Sequence, residues 1–263
     1  MPQCVAMSEL APRERPLSRV AAAWAVHLYT ASGLLAGAWI AVLIVRGGPA
    51  AFRAAFALML LATFIDSTDG WLARRVRVKE VLPSFDGRRL DDIVDFQLYT
   101  SLPLLLLWRA GALGEWQAAL LLPLLASAYG FCQTRAKTED GCFLGFPSYW
   151  NFVALYLVAL AAPPAGAAAV VAALAALTFV PSRYLYPSQP GRLNAAASVL
   201  ALFWLGMLAG ALWLAEGGDF SRPGARRLLL ASLFYPVFYL GTSWALSLGR
   251  LSASGTRRPS GWS

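Results

Sequence analysis

The chain is predicted to be an all-α, polytopic integral membrane protein with about eight transmembrane helices. Composition is the first reason: 58% of its 263 residues are hydrophobic and only 14% are charged, where a soluble domain averages ~45–50% apolar and ~25% charged. Mean hydropathy is the second, at +0.56. The third is a series of apolar runs of bilayer length, since crossing the hydrocarbon takes ~20 such residues. The runs must be helical, because an isolated strand leaves its backbone polar groups unpaired in lipid.

In chain order the candidate spans are 20–45, 54–73, 91–108, 115–134, 146–162, 165–186, 194–215 and 228–248. Short links rich in Gly, Pro or charge separate them, among them RGGPAAFR, RAGALGEW, PPAG, YPSQPGR and EGGDFSRPGARR. Residues 1–19 form an expected cytoplasmic segment, 20–248 one membrane domain, and 249–263 a cytoplasmic tail. The leading MPQCVAMSELAPRERPLSR holds prolines and mixed charges and no small-residue cleavage site, so it does not read as a signal peptide. The Ala-rich run GAAAVVAALAAL favours close helix packing.

Eight spans put both termini on one side. That side collects sixteen of the twenty-two Lys and Arg residues, and the positive-inside rule places it in the cytoplasm. The net charge of +8 is then explained by loops facing anionic headgroups, and no aromatic-basic pattern points to nucleic acid. Three cysteines and one histidine supply neither a disulfide framework nor a His-rich metal site.

The stretch DSTDGWLARRVRVKEVLPSFDGRRLDDIVD, residues 66–95, holds six aspartates in a chain with fourteen acidic residues. Asp66 and Asp69 are three apart and Asp91 and Asp95 four apart, so each pair shares a helix face. The topology brings both pairs to the cytoplasmic end of one helical hairpin. Clustered carboxylates in low dielectric repel unless compensated. A divalent cation is the usual compensation, and oxygen-only donors suit Mg²⁺, Mn²⁺ or Ca²⁺. Such ions clamp phosphate oxygens in displacement reactions. Gly70, Ala73 and Gly87 permit close approach of a ligand or helix, and Arg74 carries a fork of donors suited to phosphate. Asp86, Arg88 and Arg89 read as solvated loop residues, and Asp92 also stands outside the predicted cage.

Written as D-x2-D-G-x2-A-R-x12-G-x3-D-x3-D, the stretch resembles the signature of the CDP-alcohol phosphatidyltransferase family, matched at Asp66, Asp69, Gly70, Ala73, Arg74, Gly87, Asp91 and Asp95. The spacer before Gly87 is twelve residues, against about eight or nine in the family, and a loop tolerates the insertion. The long-spacer version VKEVLPSFDGRRLDDIVD is similar to the bacterial branch that joins choline to CDP-diacylglycerol, the phosphatidylcholine synthases. VHLYTASG at 26–33, KTEDGCFLGFPSYWN at 137–151 and LTFVPSRYLYP at 177–187 also resemble that branch. The likeness runs from the first span to the sixth and is weak beyond Arg192.

The resemblance implies that Asp66, Asp69, Asp91 and Asp95 hold a pair of Mg²⁺ or Mn²⁺ ions against the CDP pyrophosphate. It implies that Asp95 is the general base for the acceptor hydroxyl, and that Gly70, Ala73, Arg74 and Gly87 lie along the CDP moiety. An alcohol oxygen then attacks the phosphatidyl phosphorus and CMP leaves. Choline is the expected acceptor, with serine, inositol or glycerol phosphate as alternatives. The family is commonly homodimeric.

Three rival readings are weaker. DDIVD at 91–95 matches the DDxxD pattern of prenyl-diphosphate enzymes, but such enzymes have no reason to carry D-G-x2-A-R. An EF-hand reading of DSTDG fails, because Thr68 sits at position 3 and Gly at position 5. A transporter needs polar breaks in several spans, and the fifth, seventh and eighth are almost purely apolar. Tyr99, Tyr149, Trp150, Tyr184 and Tyr186 are aromatic candidates for a quaternary-ammonium pocket, set against the ordinary crowding of Trp and Tyr at membrane interfaces. His27 is a candidate acceptor-site residue, and Arg183 and Lys137 are candidates for lipid phosphate.

Overall fold

A computed structural model describes residues 16–133, 142–185 and 192–255. Lys137 and Tyr186 lie outside these residues, as do most of the two expected tails. Apart from loops and one two-stranded antiparallel ladder, the described residues are helical. Helices α1 (Leu17–Arg46) and α2 (Pro49–Val76) form an antiparallel pair. Gly47 and Gly48 close it at φ +70° and +86°, a left-handed region that glycine enters without strain, and Pro49 starts α2 with φ preset for a helix. Short α3 (Val78–Val81) leads to α4 (Gly87–Asp95). Asp86 caps α4, its Oδ1 accepting the Arg89 N–H at 3.1 Å. The residue read as loop is therefore a helix cap.

From α4 the chain passes through a π-helical turn (Phe96–Ser101) into α5 (Leu102–Arg109). Pro103 has no N–H for the Tyr99 carbonyl, and the Leu102 N–H bonds back to Gln97 in the wider register. A 3₁₀ turn (Gly114–Leu120) precedes α6 (Leu121–Cys132). Then come α7 (Trp150–Ala159), α8 (Pro164–Phe179), α9 (Arg192–Leu214), α10 (Pro223–Ser232) and α11 (Phe234–Gly255).

Among the described residues, four helical stretches are long and apolar enough to cross a membrane: Leu17–Arg46, Pro49–Val76, Leu193–Leu214 and Pro223–Leu248. Trp150–Ala159 and Pro164–Phe179 are shorter apolar helices. The protein is thus a multi-pass, helical membrane protein. The outer faces fit lipid: Leu35, Val45, Trp213 and Val237 are each at least 70% exposed, a display that a soluble surface would not sustain over several helices.

Two sequence expectations need correction. Spans were expected at 146–162 and 165–186, but α7 begins only at Trp150 and α8 stops at Phe179. Prolines at 147 and 181 exclude helical continuation there, and Val180 before Pro181 is extended. The freed segment forms strand β2 (Arg183–Leu185), antiparallel to β1 (Cys142–Leu144). Gly145 turns out of β1 at φ +80°, where a Cβ would sit 2.2 Å from the Thr178 carbonyl oxygen.

Small residues set the helix spacing. In α8, Ala167, Ala168, Val171 and Ala175 are buried, as the Ala-rich run leads one to expect. In α1, a Cβ at Gly33 would lie 2.6 Å from Val94 Cγ1, so its absence lets α4 lie against α1. Arg53 in α2 donates from Nε to the Leu212 carbonyl at 2.6 Å and ties the first hairpin to α9.

Candidate active site

The cleft that gathers the aspartates lies between α1, α2 and α4. Thr30 and Gly33 line it from α1; Ala62, Ile65, Asp66 and Asp69 from α2; Asp91, Val94, Asp95 and Leu98 from α4 and the π turn. One carboxylate oxygen from each of Asp66, Asp91 and Asp95 falls within a group no wider than 4.8 Å. The helical spacings explain it: Asp91 and Asp95 are one turn apart on α4, and α2 presents Asp66 opposite them. Three carboxylates this close, in a cleft otherwise lined largely by apolar side chains, suit a hard divalent cation with oxygen ligands.

Asp69 lines the same cleft and is buried, but stands outside that group of three. Its Oδ2 accepts the Thr30 hydroxyl at 2.6 Å. Asp66 is held in a similar way, Tyr99 donating its phenolic hydrogen to Oδ2 at 2.7 Å. Asp92, the second acid of the DDxxD pattern, is also outside the group of three.

The remaining signature residues lie on the same hairpin. Gly70 is one turn beyond Asp66 on α2, and only the flexible tip of Arg74 would approach a Cβ there, at 3.4 Å. Arg74 is exposed and acts electrostatically on Asp69, and Ala73 is half-buried beside it in sequence. Gly87 is tighter, since a Cβ would lie 2.5 Å from His27 Cε1. His27 is buried against Phe85, ring centroids 4.4 Å apart, with Trp24 at its edge. It packs over the start of α4 and does not line the carboxylate cleft.

The aromatic candidates separate. Tyr99 belongs to the carboxylate site through Asp66. Trp150 and Tyr184 are fully buried core residues: Trp150 Nε1 donates to Ser127 Oγ at 2.8 Å, and Tyr184 stacks on Tyr239. Tyr149 is half-buried next to Tyr239 and Phe152. Arg183 lies in β2, where its N–H bonds Ser247 Oγ. Residue-type reasoning missed Thr30, Thr63 and Asn151. Their one signal was membership of otherwise apolar spans, and for Thr30 and Asn151 the stretches VHLYTASG and FPSYWN.

Fold and site define a helical multi-pass membrane protein with an acidic, cation-compatible cleft at a helical hairpin. The chain belongs to the phosphatidylcholine synthase family. It is 36% identical to the phosphatidylcholine synthase of Pseudomonas aeruginosa over 187 residues, covering 70% of this chain and 77% of that one. To the Mesorhizobium japonicum enzyme it is 34% identical over 208 residues, covering 78% and 75%. To the Borreliella burgdorferi enzyme it is 34% identical over 174 residues, covering 65% and 73%. No protein-family model matches the chain.

Proposed function

We propose that this protein makes phosphatidylcholine, transferring the phosphatidyl group of CDP-diacylglycerol to choline with release of CMP. The observation that carries the chemistry is the convergence of Asp66, Asp91 and Asp95 within 4.8 Å. The named relatives carry the acceptor and the product.

In this reading Asp66, Asp69, Asp91 and Asp95 hold Mg²⁺ or Mn²⁺. Bound there, the metal would supply Lewis-acid neutralisation of the pyrophosphate charge. Gly70 leaves room for the CDP backbone along α2, with Ala73, Arg74 and Gly87 beside it, and Arg74 offers a fork of N–H donors to a phosphate oxygen. Asp95 accepts the proton of the choline hydroxyl. The choline oxygen bonds to the phosphatidyl phosphorus, and the bond from that phosphorus to the CMP oxygen breaks. A general base held at this position contributes typically ~10²–10⁴-fold. The hairpin end that carries the site faces the cytoplasm of the bacterial inner membrane, in keeping with the Lys and Arg asymmetry. Residues 20–248 act as one catalytic membrane domain, and the resemblance implies a homodimeric assembly.

The test is CMP release by the purified chain with CDP-diacylglycerol and, separately, choline, serine, inositol and glycerol phosphate. Stimulation by choline alone supports the reading. Stimulation by another acceptor and not by choline overturns the acceptor assignment, and pyrophosphate as the product overturns the reaction class.

A further inference from the structure

Both carboxylates of the D-x2-D pair are gripped by hydroxyls from outside the signature. Thr30 Oγ1, on α1, donates to Asp69 Oδ2 at 2.6 Å, with the pair buried. Tyr99, in the π turn, donates to Asp66 Oδ2 at 2.7 Å. Thr63, also on α2, donates its hydroxyl hydrogen to the Met59 carbonyl at 3.0 Å and accepts one from Asn151 Nδ2, on α7, at 3.2 Å. Two hydroxyls from other elements thus reach the acids of α2 directly, Thr30 to Asp69 and Tyr99 to Asp66, through helices otherwise built from apolar residues.

A tyrosine hydroxyl has one hydrogen, and here it goes to the carboxylate. The Thr30 hydroxyl likewise points at Asp69 Oδ2, closer at 2.6 Å than the Val26 carbonyl of its own helix at 3.4 Å.

We infer that Thr30 and Tyr99 are positioning residues. They fix the rotamers of Asp69 and Asp66 so that the carboxylates are presented to the cleft already oriented. A carboxylate with one oxygen anchored keeps its other lone pairs aimed in a set direction, and loss of such outer partners typically costs ~10–100-fold in metal affinity or activity. The π turn acquires a purpose, since the wider register carries Tyr99 from the end of α4 to face Asp66. The stretch VHLYTASG acquires one as well, because it sends Thr30 to Asp69. This inference rests on the divalent-metal reading of the carboxylate group.

The experiment is Mn²⁺ binding to the full chain in detergent, followed by the spectrum of free Mn²⁺, for the wild type and for Thr30→Val, Thr30→Ser, Tyr99→Phe, Asn151→Leu and Asp91→Asn. Thermal unfolding of each variant is measured alongside. Thr30→Val and Tyr99→Phe are expected to bind Mn²⁺ ~10–100-fold more weakly at an unfolding midpoint close to wild type. Asn151→Leu, whose amide bonds neither acid, keeps wild-type affinity, and Thr30→Ser restores it because it restores the hydroxyl. Wild-type Mn²⁺ affinity in Thr30→Val and Tyr99→Phe, with affinity lost in Asp91→Asn, overturns the inference and leaves the metal reading standing. Wild-type affinity in Asp91→Asn overturns the metal reading, and the inference with it.

Discussion

A Cβ atom on Gly87 would lie 2.5 Å from Cε1 of His27 and 3.1 Å from its Nδ1. The glycine proposed to lie along the CDP moiety is thus also the one on which α1 rests against the start of α4. His27 is itself confined by Phe85 and Trp24, so it has little room to withdraw. Gly87→Ala is therefore expected to destabilise the fold by about 1–3 kcal/mol, the usual cost of overpacking. A fall in the thermal unfolding midpoint in detergent checks it.

Gly70 gives the opposite expectation. It lies inside α2 with open space where a Cβ would go, apart from the movable tip of Arg74. Gly70→Ala should raise stability by about 0.5–1 kcal/mol, because alanine orders in a helix at less entropic cost than glycine. It should also raise the KM for CDP-diacylglycerol, because the methyl group occupies the approach to the pyrophosphate. A higher unfolding midpoint together with a higher KM separates this residue's role from that of Gly87.

The acids form a third case. Asp91→Asn removes one carboxylate from a group within 4.8 Å, so it relieves like-charge repulsion while deleting a ligand. In metal-free buffer the variant should be at least as stable as the wild type, and its turnover should fall by ~10² or more. Chelator treatment of the wild type should abolish turnover, and added Mn²⁺ or Mg²⁺ should restore it. Turnover measured before and after chelation checks both statements.

Much of this was legible from residue types alone, for physical reasons. Lipid imposes length and polarity on its helices, so the runs containing α1, α2 and α9 stood out as apolar blocks. Asp66 and Asp95 stood out because carboxylates are rare in such blocks. The antiparallel ladder of Cys142–Leu144 with Arg183–Leu185 was not legible, because its pairing joins segments about forty residues apart and each strand is three residues long. Pro147 and Pro181 mark where helix is excluded, but not what replaces it. Thr30, Thr63 and Asn151 were hidden because a single hydroxyl or amide in a helix is usually satisfied locally. The partners of Thr30 and Asn151, at Asp69 and Thr63, come from other helices, and only packing reveals them.

Gly145 offers a purely structural check on that ladder. It combines φ +80° with a Cβ position 2.2 Å from a backbone carbonyl oxygen, which cannot move aside as a flexible side chain can. Gly145→Ala should cost about 1–3 kcal/mol from backbone strain, before any displacement of Thr178 is counted. A lower unfolding midpoint tests the turn without touching the carboxylate cleft.

The most direct measurement of the central claim is incorporation of labelled choline into phosphatidylcholine by the purified chain, wild type against Asp95→Asn, with CDP-diacylglycerol binding followed in parallel. The wild type should form labelled lipid and one CMP per lipid. Asp95→Asn should lose at least ~10² in turnover while CDP-diacylglycerol binding stays measurable. Full turnover in Asp95→Asn would contradict the assignment of the base, and absence of labelled lipid from the wild type would contradict the account as a whole.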